Sequence, residues 1–105
     1  MTPQPTQEDP ETFLFRLEKI IADRKENRTE NSYTSSLFNG GLDKILQKVG
    51  EESVEYILEA KNNNRERMAS EGADLIFHFL VSLQAREMSL ADIIIELQSR
   101  HQQQQ

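Results

Sequence analysis

The chain has 105 residues, room for one domain of ordinary size. Eighteen Asp and Glu against 12 Lys and Arg leave a net charge of −6, which excludes the basic patch of a general nucleic-acid binder. With no cysteine in the sequence, a disulfide scaffold, a thiolate zinc site and a cysteine nucleophile are excluded too. Apolar runs stay well short of the roughly 20 residues that cross a bilayer, and Met1 to Pro10 lacks the cationic start and apolar stretch of a signal peptide. A cytoplasmic protein with no membrane and no nucleic-acid partner is expected. Hydrophobic residues make up 36% of the chain and its mean hydropathy is −0.68. That is little for a self-sufficient core at this size, so a homodimer or higher homo-oligomer is expected.

All three prolines, Pro3, Pro5 and Pro10, lie in the first ten residues. Residues 1–9 read as a disordered leader, with Asp9 the cap and Pro10 the first residue of a helix. That helix runs to about Asn27, carrying Leu14, Leu17, Ile20 and Ile21 at helical spacing. The next stretch, from Arg28 to Gly41, is rich in Ser, Thr, Asn and Gly. It reads as an ordered loop with one helical turn around Thr34 to Phe38. A long helix follows from about Leu42 to Lys61, stopped by Asn62-Asn-Asn64. Another runs from about Arg65 to Glu87, and Ser89 caps a last helix bearing Leu90, Ile93, Ile94 and Leu97. Residues 102–105 form a polar Gln tail, expected to be disordered. No period-2 stretch competes with these elements. The expected fold is all-α, a four-to-five-helix bundle over residues 10–101 with an antiparallel central hairpin and a core completed by dimerisation.

On the helix that starts at Leu42, the residues Leu42, Ile45, Leu46, Val49, Tyr56, Ile57 and Ala60 form one broad apolar arc. Glu51, Glu52, Glu55 and Glu59 share the opposite flank, with Lys44 and Lys48 a turn or two nearer the N-terminus. A plain solvated face explains such a flank. Like charges at this spacing repel, however, and Lys ahead of Glu at i, i+4 is the weaker orientation for a pair. The following helix is apolar almost all round, as in a bundle or an interface, yet Glu71, Asp74 and His78 lie along one line of it. Buried carboxylates need a partner, a proton or a metal, and Arg65, Arg67 or a Lys of another helix could be the partner.

The Asn62–Asn64 turn makes the two helices antiparallel neighbours. Glu55 lies eight residues before Asn63 and Glu71 eight after, so Glu52-x-x-Glu55 and Glu71-x-x-Asp74 lie at similar height. Four carboxylates meeting without cysteine suit Mg²⁺, with Mn²⁺ as a possible substitute, rather than zinc. A cation so held neutralises phosphate oxygens and makes water a better nucleophile. Lys44 and Lys48 would add phosphate contacts, and the Ser/Thr/Gly loop hydroxyl and N–H donors. The six acids Glu51, Glu52, Glu55, Glu59, Glu71 and Asp74 then form one metal cradle. A Walker-type Gly-rich run is missing, which excludes a phosphate-loop kinase or ATPase.

Lys48-Val-Gly-Glu-Glu-Ser-Val-Glu55 followed by Glu71-Gly-Ala-Asp-Leu-Ile-Phe-His78 closely resembles the phosphoribosyl-ATP pyrophosphatase family. Ser32-Tyr-Thr-Ser-Ser-Leu37 and Arg86-Glu-Met-Ser-Leu-Ala-Asp92 resemble it as well, so the likeness covers about residues 12 to 101. The paired acidic motifs alone would indicate only the wider all-α NTP pyrophosphatase (MazG-like) superfamily. The resemblance implies Mg²⁺-dependent hydrolysis of phosphoribosyl-ATP to phosphoribosyl-AMP and pyrophosphate, the second step of histidine biosynthesis, by a helical dimer with composite sites. It implies Glu52, Glu55, Glu71 and Asp74 as metal ligands, and catalytic roles for Glu51, Glu52 and Glu55. Glu51 would hold a further metal or orient water. Lys44 and Lys48 would meet phosphates, and Ser32, Tyr33 and Thr34 would line the substrate loop. His78 reads either as a substrate or Asp74 contact or as a core histidine satisfied by a neighbouring helix. Phe13, Phe15, Phe77 and Phe79 read as core or dimer contacts. Gly72 stands where the family often has a larger residue. A house-cleaning (d)NTP pyrophosphatase and a non-catalytic dimeric helical module are the competing readings.

Overall fold

The computed structural model describes residues 8–103, and within them five helices and no strand. Residues 1–7 of the expected leader and residues 104–105 of the expected tail lie outside the described residues. Helix α1 spans Pro10–Glu26, with the Asp9 carboxylate accepting from the Glu11 N–H at 3.2 Å and Pro10 in the first turn. Helix α3 spans Leu42–Lys61 and α4 Arg65–Ala85. Asn63 takes a left-handed φ of 53° in the turn between them, a conformation that a short polar side chain tolerates. Asn64 then caps α4 by accepting from the Arg67 N–H at 3.2 Å. Helix α5 spans Leu90–Gln103, so Gln102 and Gln103, assigned to the tail, are helical. Its start is a reciprocal box. The Asp92 N–H donates to Ser89 Oγ at 3.3 Å, and the Ser89 N–H to Asp92 Oδ2 at 2.9 Å. Glu18 of α1 accepts from the Leu90 N–H at 2.6 Å and so fixes where α5 leaves the bundle.

The stretch expected to be a loop with one turn is a full helix, α2, spanning Tyr33–Gly40. Its Ser, Thr and Asn content disfavours a helix in isolation, but burial overrides propensity. Ser32 caps it by accepting from the Ser35 N–H at 3.1 Å, and Ser35, Leu37 and Phe38 bury one side. Ser35 is completely buried; its hydroxyl donates to the Arg24 carbonyl at 3.0 Å and accepts from the Thr29 N–H at 3.1 Å. This one side chain ties α2 to the end of α1.

The core joins Ile21 of α1, Leu37 and Phe38 of α2, Ile45 of α3, Leu80, Val81 and Leu83 of α4, and Leu90 of α5. Each such side chain contributes about 1.5–3 kcal/mol when fully buried. Burial is less complete than the apolar patterns imply. Ile57 of α3 is 60% exposed and Ile76 of α4 45%. Leu46, Ile95 and Leu97 are exposed as well. The Cα radius of gyration is 16.2 Å, against about 13 Å for a compact domain of this length.

A Cβ at Gly72 would meet the Tyr56 ring carbons at 3.7 Å, an ordinary contact. Nothing in the packing requires glycine in mid-helix. Gly72→Ala is expected to stabilise the protein by about 0.4–1 kcal/mol, seen as a higher urea midpoint at unchanged slope.

Candidate metal centre

The short turn brings the α3 acids onto the face of α4, as the register count requires. Glu52 of α3 meets Glu71 and Asp74 of α4, each offering one carboxylate oxygen within 4.8 Å of the other two. Glu52 and Glu71 are largely covered, whereas Asp74 is exposed. Glu55 is exposed and lies outside this triplet, though its charge acts on Glu71. Partial burial, then the charges of Asp74, Glu52 and Glu55, push the Glu71 carboxyl above the usual carboxylate range, and Arg67 offsets this only in part.

The single cradle of six acids is narrower in the structure. Glu59 lies outside the triplet and pairs with Arg67, whose Nε lies 3.2 Å from its Oε1. Arg67 also reaches Glu71, Nη2 to Oε1 at 3.5 Å, so the arginine partner weighed for the α4 acids is present. That arginine is itself exposed, and an ion pair of this kind is weak. Glu51 points elsewhere too: its Oε1 accepts from Gln47 Nε2 at 2.8 Å and its Oε2 lies 3.6 Å from Lys48 Nζ. The Gln47 hydrogen bond, helped by Lys48, holds the Glu51 carboxyl below the usual range.

Lys48 Nζ also stands 3.6 Å from Glu52 Oε1. The Tyr33 phenol, followed by Glu51 and Glu52, keeps this lysine above its usual range against partial burial. Lys44 is exposed, and its stem crosses Gly40, where an added Cβ would meet Lys44 Cδ at 2.6 Å. Ser32 Oγ accepts the capping bond of α2 from the Ser35 N–H, and Thr34 is half-buried in the first turn. Tyr33 opens α2 and packs on the hairpin. Its ring stacks on Phe77 at 6.2 Å between centroids, and its hydroxyl lies 2.9 Å from His78 Nε2.

His78 is 4% exposed, and both ring nitrogens are engaged. Nδ1 lies 2.7 Å from the Asp74 backbone carbonyl, not from its carboxylate. The histidine is thus a buried one satisfied by a neighbouring helix, and it touches Asp74 through the main chain. Two neighbours of the site escaped sequence reasoning. Gln47, four residues before Glu51, carried a usable i, i+4 signal. Phe77 had none, because an aromatic on an apolar helix looks like core; Phe13 and Phe15 are 40% and 42% exposed.

The donor set fits a hard divalent cation. Three carboxylate oxygens converge from two helices, their mutual repulsion is only partly offset by Arg67, and the neighbouring histidine has no nitrogen free.

Fold and face together define an all-α protein with an acidic site able to hold a metal beside lysines. The sequence model of the family "Phosphoribosyl-ATP pyrophosphohydrolase" matches residues 14–101, and the chain belongs to that family. A phosphoribosyl-ATP pyrophosphatase of Methanosarcina barkeri is 50% identical over 93 residues, covering 87% of this chain and 89% of that protein. One from Leptospira biflexa is 47% identical over 89 residues, 85% of this chain and 97% of its own length. The histidine biosynthesis bifunctional protein HisIE of Bacteroides thetaiotaomicron is 48% identical over 94 residues. That match takes in 90% of this chain but 46% of the bifunctional protein, so the chain spans about half of that relative.

Proposed function

We propose that this protein hydrolyses phosphoribosyl-ATP to phosphoribosyl-AMP and pyrophosphate, the second step of histidine biosynthesis, in the cytoplasm. Family membership and the names of its relatives support the substrate. The observation that carries the chemistry is the meeting of Glu52, Glu71 and Asp74 across the α3–α4 hairpin. These three, with Glu55 beside them, are the proposed ligands of Mg²⁺, for which Mn²⁺ can substitute. When bound, the ion supplies the positive charge that this acidic chain lacks for phosphate oxygens, and it activates water. Lys48, paired with Glu52, sits where it can meet a phosphate, and Lys44 lies one turn away. The Gln47 hydrogen bond holds the Glu51 carboxyl below the usual range. Orienting water is the role this carboxyl suits, leaving Glu52 and Glu55 as the other catalytic carboxylates. Ser32, Tyr33 and Thr34 complete the substrate side, with the buried His78 acting behind Tyr33, within one catalytic domain over residues 10–101.

We also propose that the working form is a homodimer or higher homo-oligomer with composite sites. The exposed Ile57, Ile95 and Leu97 and the large radius of gyration support this. The decisive assay is pyrophosphate release from phosphoribosyl-ATP beside a panel of NTPs and dNTPs, with Mg²⁺ and with EDTA. Preference for phosphoribosyl-ATP and loss of turnover in EDTA are expected. Comparable rates on plain dNTPs would instead make the protein a house-cleaning pyrophosphatase.

A further inference from the structure

The hydrogen-bond chain at the start of α2 has a direction that the chemistry of its groups sets. The Asp74 carbonyl can only accept, so His78 Nδ1, 2.7 Å away, carries a hydrogen and donates it. In the neutral imidazole Nε2 is then a bare acceptor, and the Tyr33 hydroxyl at 2.9 Å donates to it. Having spent its only hydrogen, the Tyr33 oxygen can receive hydrogen bonds but not give one. For the neutral ring the opposite tautomer is closed, because it would set His78 Nδ1, lone pair forward, against a carbonyl lone pair. The ring cannot swing aside: His78 is buried, and Tyr33 stacks on Phe77 and meets His78 edge-on at 5.8 Å. Yet Tyr33 as a residue is 53% exposed, on the side of the hairpin that carries Lys48.

We infer that Tyr33 is a specificity-determining residue that accepts a hydrogen bond from a hydroxyl or amino group of the substrate, with His78 the positioning residue that makes it an obligate acceptor. Phosphate oxygens are themselves acceptors and are turned away from this point, toward Lys48 and the carboxylate-held cation. Tyr33 therefore reads the sugar or base portion of a phosphorylated nucleoside, not its phosphates. This rests on the function proposed above, with phosphoribosyl-ATP supplying several ribose hydroxyls.

The test is steady-state kinetics of wild type, Tyr33→Phe, His78→Phe and the double variant on phosphoribosyl-ATP. Thermal melts verify that each is folded. Tyr33→Phe keeps the ring and its stack but removes the acceptor, and is expected to raise KM by about 3- to 10-fold. Because the bond exists in ground and transition states alike, kcat should stay within about twofold. In the His78→Phe background the same change should cost less, since the hydroxyl there also turns its own hydrogen toward other acceptors and is no longer held as an acceptor alone. An unchanged KM in Tyr33→Phe, or a fall in kcat alone, overturns the inference. If His78→Phe does not fold, Tyr33→Phe is assayed instead on analogues that lack, one at a time, each ribose hydroxyl or the N–H donor of the base. One of these should be a poorer substrate for wild type yet no poorer than the parent for the variant, and equal penalties in both proteins overturn the inference. A wild type that leaves phosphoribosyl-ATP untouched sinks the proposed function itself, whatever the variants do.

Discussion

Glu71→Gln is expected to abolish turnover while making the metal-free protein more stable at neutral pH. Both effects come from one cause. Glu71 shares its space with Asp74, Glu52 and Glu55 and is partly covered, so its carboxyl titrates above the usual range. A carboxyl whose pKa is raised on folding binds its proton more tightly in the folded state than in the unfolded one. Its favourable contribution is complete below the ordinary glutamate value of 4.5 and is lost as pH rises through the folded value. At neutral pH the metal-free protein therefore carries a repulsion that glutamine lacks.

Melting curves in EDTA from pH 4 to 7.5 check this: wild type should lose stability relative to Glu71→Gln as pH climbs through that window. Adding Mg²⁺ should reverse the order at neutral pH. An ion that binds only the folded state stabilises it by about 2.7 kcal/mol at a hundred times its dissociation constant, and the variant has lost a ligand. Turnover should fall by more than about 100-fold, since even supporting groups around a metal are worth 10–100-fold. Full activity in Glu71→Gln, or equal stabilisation of both proteins by Mg²⁺, would refute Glu71 as a ligand.

Gly41→Ala is expected to destabilise the fold by about 1–3 kcal/mol. Gly41 is the single residue between α2 and α3, with φ 93° and ψ 171°, a region open to glycine and almost nothing else. It serves both helices: its N–H donates to the Phe38 carbonyl at 3.3 Å, and its own carbonyl accepts from the Ile45 N–H at 3.2 Å. The space around it is open, so the cost is conformational and not a clash. For a domain of this size each kcal/mol lowers Tm by about 4–8 °C. The joint also sets where α2 places Tyr33, so KM for phosphoribosyl-ATP should rise in molecules that remain folded. The contrast with Gly72→Ala, expected to stabilise, separates a glycine needed for its backbone from one that is not. A Gly41→Ala protein melting at the wild-type temperature would contradict the strain argument.

Much of the centre was legible in the chain because it depends on local regularities. Asp9-Pro10 and Ser89 mark helix starts by residue chemistry, and Asn62-Asn-Asn64 forces a tight reversal. Equal counting from that turn places the Glu52 and Glu55 pair beside the Glu71 and Asp74 pair. The α2 helix was under-read because its composition opposes it. The buried Ser35 hydroxyl and the packing of Leu37 and Phe38 outweigh that composition, and both depend on α1 and α3 being in place.

The sequence by itself determined that the chain is helical, where most of its helices begin and end, and which acids line the hairpin. These follow from spacing, caps and charge within a few residues of one another. Only the tertiary structure decided which acids meet. Glu52, Glu71 and Asp74 converge, while Glu51 bonds to Gln47 and Glu59 pairs with Arg67 outside the triplet, and Lys48 and Arg67 each also reach one of its members. It alone also brought the Tyr33 hydroxyl, the His78 ring and the Asp74 carbonyl into one line of contacts. Helical spacing puts residues on a common face, but convergence within a few ångströms depends on helix crossing and side-chain rotamers, which are fixed when the elements pack.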